Sequence, residues 1–424
     1  MTDREKKLNK IQDDASNTWI NNNGVGTLLM ATGVGKTLTF VRCLYKAVDK
    51  GLLKLGDTIR FWTETTARQS TLFVDEREAS IKYLGKDFIS DFNIIFRCYQ
   101  SGIDNTRVDM EVYDEVDVAI SEIYSKCIID SNCTLKLGLT ATNNEVSTIH
   151  RGKVDATMMN KVRQSDSLTQ KGIITNLINK GQLLDVILPV IYEYSIPEAI
   201  NDGVLSNFKT YVVNHKLNNI KSYILPFKKS KVEQTEQAVY NIYDMMCKDY
   251  SKPRIVLETM IRKRTALLYN LKSKVPVVKK LIQNIGSDKK IILFGVHKEI
   301  LYQITPNVVE KDNIDELLDK FNKGEINVIA SSKMLGRGKT LKGLEYCILV
   351  SYYSTSTSFL QWLGRIVRYA EGKVAKLIVL RTLNTQEMVW FEKFNKVLDD
   401  RGNLKYELDL KITKQIDSDQ LLKR

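Results

Sequence analysis

The chain has 424 residues, 43% of them hydrophobic and 27% charged, which provides for two or three globular domains and excludes a disordered or fibrous chain. Lys and Arg number 63 against 50 Asp and Glu, a net charge of +13 that favours a polyanionic partner, nucleic acid first. No apolar run approaches the roughly 20 residues of a membrane helix, and the polar start MTDREKKLNKIQDD lacks a secretion signal, so a cytoplasmic protein is expected (host cytoplasm if viral) with no membrane partner.

In chain order, strand-like apolar runs alternate with longer helix-like stretches, the pattern of parallel α/β domains. The first half carries runs at 27–30, 58–62, 92–96, 110–113 and 135–139. The second carries them at 210–214, 290–295, 327–331, 346–350 and 376–380. Two groups of five predict two sheets. Between them, residues from about 218 to 284 contain helix-compatible stretches and almost no strand-like run, so a helical insertion is expected in or before the second domain. The stretch TQEMVWFEKFNKVLDD is helix-like, and a polar tail from 396 to 424 is expected to fray. Six cysteines form no CxxC pair and three histidines are scattered, which favours reduced core thiols over disulfides or zinc.

The first run leads into ATGVGKT and then into a helix-like TLTFVRCLYKAV, the strand–loop–helix context of a phosphate-binding loop. Thr32, Gly33, Val34 and Gly35 would curl the backbone so that successive N–H groups face phosphates. Lys36 would reach the β- and γ-phosphates, and the Thr37 hydroxyl would bind Mg²⁺. Met30 stands where the strict pattern has glycine. About 80 residues on, the run at 110–113 ends in Asp114-Glu115-Val116-Asp117. Asp114 at a strand tip suits the metal bound to the loop, and Glu115 suits orienting and deprotonating the attacking water.

With these two elements in order, the chain resembles superfamily 2 helicases, in which DEVD corresponds to the DExD/H box. The resemblance implies an α/β fold of two RecA-like parallel-sheet domains in tandem, the first over 1–196 and the second over 197–395. It also implies ATP with Mg²⁺ bound between the lobes. LGLTAT at 137–142 is similar to the Thr-Ala-Thr motif that links the ATP site to the nucleic-acid cleft, placing Thr140 and Thr142 in the linking positions. LNKIQDDASNTW resembles the segment in which a glutamine, here Gln12, recognises adenine.

In the second half, Gln361-Trp362-Leu363-Gly364-Arg365-Ile366-Val367-Arg368 fits QxxGRxxR at every defined position. Arg365 and Arg368 are three apart, sharing a face if helical, and their guanidiniums suit phosphate oxygens. SKMLGRGKTLKGLE resembles motif V, with Gly338 at the nucleotide, although Gly338-Lys339-Thr340 replaces the family's Gly-x-Asp. Nucleic-acid contacts are expected from strand-tip loops: Thr66, Arg68, Gln100 and Ser101 in the first domain, and His297, Lys298, Ser331, Ser332 and Lys333 in the second. These residue types suit phosphate and sugar contacts; they also suit an ordinary solvated loop. The segment YEYSIPEAINDGVL resembles the linker of type I and III restriction motors and of the branch-migration helicases of tailed phages. The implied function is an ATP-dependent DNA helicase or translocase in replication, recombination or repair, with forked or branched DNA as candidate substrates and a monomer sufficient. An RNA helicase and a duplex translocase without strand separation are the alternatives.

Overall fold

The computed structural model describes residues 2–64, 68–69, 72–102, 104, 106–121, 124–141, 156–179, 183–227, 230–332, 341–352, 363–364, 366–368, 370, 372–398, 404–407 and 412–423. They divide into two compact units, the first running to Ser206 and including Leu398 and Leu404–Tyr406, the second holding the other described residues from Asn207 on.

The first unit is built on β1 (Val25–Met30), β2 (Thr58–Thr63), β3 (Asn93–Cys98), β4 (Met110–Asp114), β5 (Leu135–Thr140) and β6 (Val190–Tyr194). Among the described residues they form one sheet in the order β3-β2-β4-β5-β1-β6, with every pair parallel. β4 and β5 are buried along their whole length, which is why their sequences read as continuous apolar runs rather than alternating ones. Helix α1 (Asp3–Asn21) begins at a capping box in which Thr2 and Glu5 bond each other's backbone. It buries Ile11, Gln12, Ala15, Ser16 and Trp19 on one face, and the Trp19 indole donates to the Lys136 carbonyl at 3.0 Å. That contact ties α1 to β5.

The second unit contains β7 (Phe208–His215), β10 (Ile291–Phe294), β11 (Val308–Val309), β12 (Val328–Ser331), β13 (Tyr346–Leu349), β14 (Ala375–Thr382) and β17 (Ile412–Asp417). Their order is β11-β12-β10-β13-β14-β7-β17, again with parallel pairs. Two parallel sheets with helices are the expected two-domain α/β architecture. In such sheets ligands bind beyond the carboxyl ends of the strands.

Several expectations need correction. The linker-like segment at 192–205 begins inside the first sheet: Val190–Tyr194 adds β6 beside β1, and the following helix Ile196–Asn201 starts at a second capping box, Ser195 with Glu198. The stretch from 218 is not wholly helical. It opens with an antiparallel hairpin of β8 (Lys221–Phe227) and β9 (Ser230–Thr235) before helices Glu236–Cys247, Arg254–Tyr269 and Lys274–Ile285. The tail does not simply fray. β15 (Lys396–Leu398) and β16 (Leu404–Glu407) pair, β17 extends the second sheet beside β7, and helix Ser418–Lys423 buries Leu421 in that unit's core. The six cysteines are free, and among the described residues no helix is long and apolar enough to cross a membrane.

Candidate nucleotide-binding site

The loop after β1 ends at Gly35, the N-cap of α2 (Lys36–Asp49), with φ of 81°. Gly33 also has positive φ, 94°, a region that side chains with a Cβ rarely adopt. A Cβ on Gly35 would meet the Gln12 amide nitrogen at 2.5 Å, so the position excludes side chains twice over. Lys36 and Thr37 open the helix, where backbone N–H groups and the helix dipole favour anions.

Gln12 is 1% exposed. Its amide donates to the Val34 carbonyl at 3.0 Å, and its oxygen accepts from Arg42 at 3.4 Å. Arg42 itself donates to Asn9 at 2.6 Å. Gln12 is therefore clamped against the phosphate loop and braces its backbone, a role the sequence pattern did not suggest.

Across the sheet, Asp114 closes β4 and Glu115 follows it in the left-handed conformation, φ 53° and ψ 55°. That backbone is costly for a residue with a Cβ. Glu115 lies 4.0 Å from the Lys36 ammonium, so the residues expected as base and as phosphate-binding cation stand together. The Tyr99 hydroxyl donates to the Asp114 carbonyl at 2.9 Å. Thr140, at the end of β5, donates to Asp117 at 2.8 Å, a direct tie between the Thr-Ala-Thr segment and DEVD.

One residue expected to contact nucleic acid has a different setting. Arg68 is 6% exposed and faces into this site. Its Nε donates to Asp114 at 2.9 Å, one Nη to Thr37 at 2.7 Å and the other to Glu76 at 3.3 Å. Burial disfavours its charge, but the carboxylates of Asp114 and Glu76 outweigh that and hold its pKa above the usual value. The sequence position beside a strand tip gave no sign of this setting, because the partners lie 31 and 46 residues away.

The donor set fits Mg²⁺: a hydroxyl and a carboxylate oxygen are hard ligands of the type this ion takes, and a single cationic group already bridges them.

The other expected contacts are dispersed. Gln100 and Ser101 are exposed in a turn after β3. In the second unit, Ser331 is buried at the end of β12, with Ser332 half-buried. Lys298 pairs with Glu310 at 3.0 Å, and His297 packs on the Tyr269 ring. Arg368 is half-buried. The Lys373 ammonium donates to the carbonyls of Ile366 and Arg368 at 2.7 and 3.2 Å. Burial, and then the Arg368 charge, push the Lys373 pKa down to about 8. Thr66, Thr142, Lys333, Gly338, Gln361 and Arg365 lie outside the described residues.

The type III restriction enzyme res subunit family matches residues 5–145, and the helicase conserved C-terminal domain family matches residues 273–370. The curated relative DNA 3'-5' translocase XPB2 of Sulfurisphaera tokodaii is 23% identical over 401 residues, covering 90% of this chain and 83% of its own. Among solved structures, the Hef helicase domain of Pyrococcus furiosus aligns with 88% of this chain and 96% of its own at 14% identity and a TM-score of 0.45. The type ISP restriction-modification enzyme LlaBIII bound to DNA aligns at 14% identity and a TM-score of 0.48 over 90% of this chain but 29% of its own.

Proposed function

Because the chain belongs to superfamily 2 of the DExD/H-box helicases and is an ATP-hydrolysing enzyme, we propose that it is a DNA helicase or translocase that couples hydrolysis to unwinding or branch migration in replication, recombination or repair. The observation that carries this reading is the pair of contacts from Lys36 to Glu115 and from Asp117 to Thr140. It joins the phosphate loop, the acidic strand tip and the segment expected to communicate with nucleic acid. The choice of DNA over RNA rests on the named activity of the translocase relative, and the net charge of +13 suits any polyanionic strand.

In this reading ATP lies on the loop from Thr32 to Thr37, with Lys36 on the β- and γ-phosphates. Thr37 and Asp114 would hold Mg²⁺, which neutralises charge on the phosphate oxygens. Glu115 orients the attacking water and accepts its proton, the left-handed backbone fixing its direction. Arg365 and Arg368 supply the guanidiniums that stabilise the transferring phosphoryl group. Hydrolysis and product release then reset the grip on the strand, with one chain sufficient.

Steady-state ATP hydrolysis measured without polymer and with single-stranded DNA, duplex DNA, branched DNA or RNA tests this reading. Single-stranded or branched DNA is expected to stimulate the rate, and Lys36→Ala to lower it by roughly a hundredfold or more, the scale of losing one buried donor to transition-state charge. Stimulation by RNA alone would overturn the DNA assignment, and duplex stimulation without fork separation would make the protein a translocase only.

A further inference from the structure

The Arg68 guanidinium is bonded to the two groups assigned to the metal. Its Nε takes Asp114 and one Nη takes Thr37, so it fills the position between them. A planar guanidinium fork and a divalent ion cannot share that place: both are cations, and both need the same lone pairs. The third contact, from the remaining Nη to Glu76 at 3.3 Å, points away from the metal ligands and ends on a carboxylate that is more exposed than Asp114.

We infer that Arg68 is an occluding residue of the nucleotide site: its guanidinium takes the place between Thr37 and Asp114 that a metal ion would need, and on binding of a metal–nucleotide complex it gives that place up and turns onto Glu76. The exchange has a defined direction. A divalent ion carrying phosphate oxygens offers Asp114 a stronger partner than one guanidinium, while Glu76 keeps the displaced charge from being stranded in a buried site. Two charge-assisted hydrogen bonds must break first, so Arg68 weakens metal–nucleotide binding instead of assisting it. A guanidinium tied in place only to support the fold has the opposite consequence, because its removal loosens the site and weakens binding.

The inference deepens the nucleotide-binding reading above and rests on it. The test titrates the full-length chain, its Arg68→Gln and Arg68→Lys variants and a Lys36→Ala control with a fluorescent ADP analogue, once across a Mg²⁺ series and once in EDTA. Arg68→Gln is expected to bind the analogue in Mg²⁺ roughly three- to tenfold more tightly than the unaltered protein, the scale of one lost charge-assisted contact. In EDTA its affinity should be equal or weaker, and Arg68→Lys, which keeps the charge but loses the fork, should lie between. Single-stranded DNA affinity should not change.

Weaker binding in Mg²⁺, or unchanged binding in both conditions, overturns the inference. So does lost DNA affinity with unchanged nucleotide affinity, which would return Arg68 to the nucleic-acid face. Should Arg68→Gln not fold, Arg68→Lys carries the test with the same sign. If the unaltered protein binds no ADP in Mg²⁺, the nucleotide-binding reading fails; if it binds and only Lys36→Ala is impaired, the inference alone fails.

Discussion

Two buried ion pairs sit at the carboxyl ends of parallel strands, one in each unit, and they are built for different ends. In the first unit, Arg68 meets Asp114 at a site whose remaining donors, Lys36 and the turn at Gly35, are arranged for an anion. In the second, Lys274 meets both Glu387 oxygens at 2.7 and 3.0 Å and also donates to the Val350 carbonyl. The Thr382 backbone N–H donates to the same carboxylate at 2.9 Å. The Lys274 and Glu387 side chains are 1% and 0% exposed, and each of the groups they bond is a fixed part of the second unit. No outside ligand is needed to complete that cluster, whereas the first adjoins Lys36 and the Gly35 turn, the groups proposed to face phosphate. Enclosure separates a structural pair from an exchangeable one more reliably than residue type does.

The largest effect should come from breaking the enclosed pair. Lys274→Met leaves a carboxylate buried without its cation, a loss of about 3–5 kcal/mol. The thermal unfolding midpoint should fall by on the order of 10 °C for a unit of this size. Lys274→Met combined with Glu387→Leu should recover most of the loss, since both charges then vanish together. Equal destabilisation in the single and double variants would show that the charges are not the reason. Arg68→Gln, without nucleotide, should lower the midpoint by less, because the Arg68 and Asp114 side chains keep 8% exposure each against 1% and 0% for Lys274 and Glu387; a larger fall than for Lys274→Met would erase the contrast.

A pH effect sharpens the same comparison. His215 ends β7 within reach of this cluster, its Nε2 2.7 Å from the Ser273 hydroxyl, which in turn donates to Glu236. Burial, reinforced by the Lys274 charge and opposed by Asp417, pushes its pKa down from 6.5 to about 3. Between those values the unfolded chain binds a proton that the folded chain refuses. Its contribution is therefore intact above about pH 6.5 and declines as the pH falls toward 3, by about 1.4 kcal/mol per pH unit. Urea unfolding between pH 6 and 5 should approach this slope, and His215→Gln should flatten it. Identical slopes would mean that His215 is protonated as readily in the fold as outside it.

These pairs also mark how far the sequence could be read. Strands such as Met110–Asp114 and Leu135–Thr140 were legible because burial on both faces writes a continuous apolar run. Ile412–Asp417, ITKQID, was not, because an edge strand beside β7 has one side open and tolerates lysine, glutamine and aspartate. The hairpin at Lys221–Thr235 stands apart from both main sheets, so no core pattern announced it. The phosphate loop and acidic strand tip were legible because each is a local motif with a fixed geometry. Arg68 and Lys274 were not: their partners lie 46 and 113 residues away, and nothing local distinguishes them from solvated cations.

Thr140 offers the smallest and most selective perturbation, because it lies where local motif and long-range contact coincide. Its hydroxyl donates to Asp117, 23 residues earlier, in a fully buried setting. Thr140→Val keeps the shape of the side chain and removes that donor, costing about 1–2 kcal/mol for the lost hydrogen bond to a carboxylate. Lys36, Thr37, Asp114 and Glu115 are untouched by the change, so the rate of ATP hydrolysis without polymer should hold to within about twofold, well short of the tenfold that 1.4 kcal/mol at the transition state would bring. Stimulation by DNA should fall, since the contact tying the acidic tip to the Thr-Ala-Thr segment is gone. An equal loss in both rates would instead assign Thr140 to the nucleotide site itself, leaving Lys36 and Glu115 without a structural link to the strand-binding side through this bond.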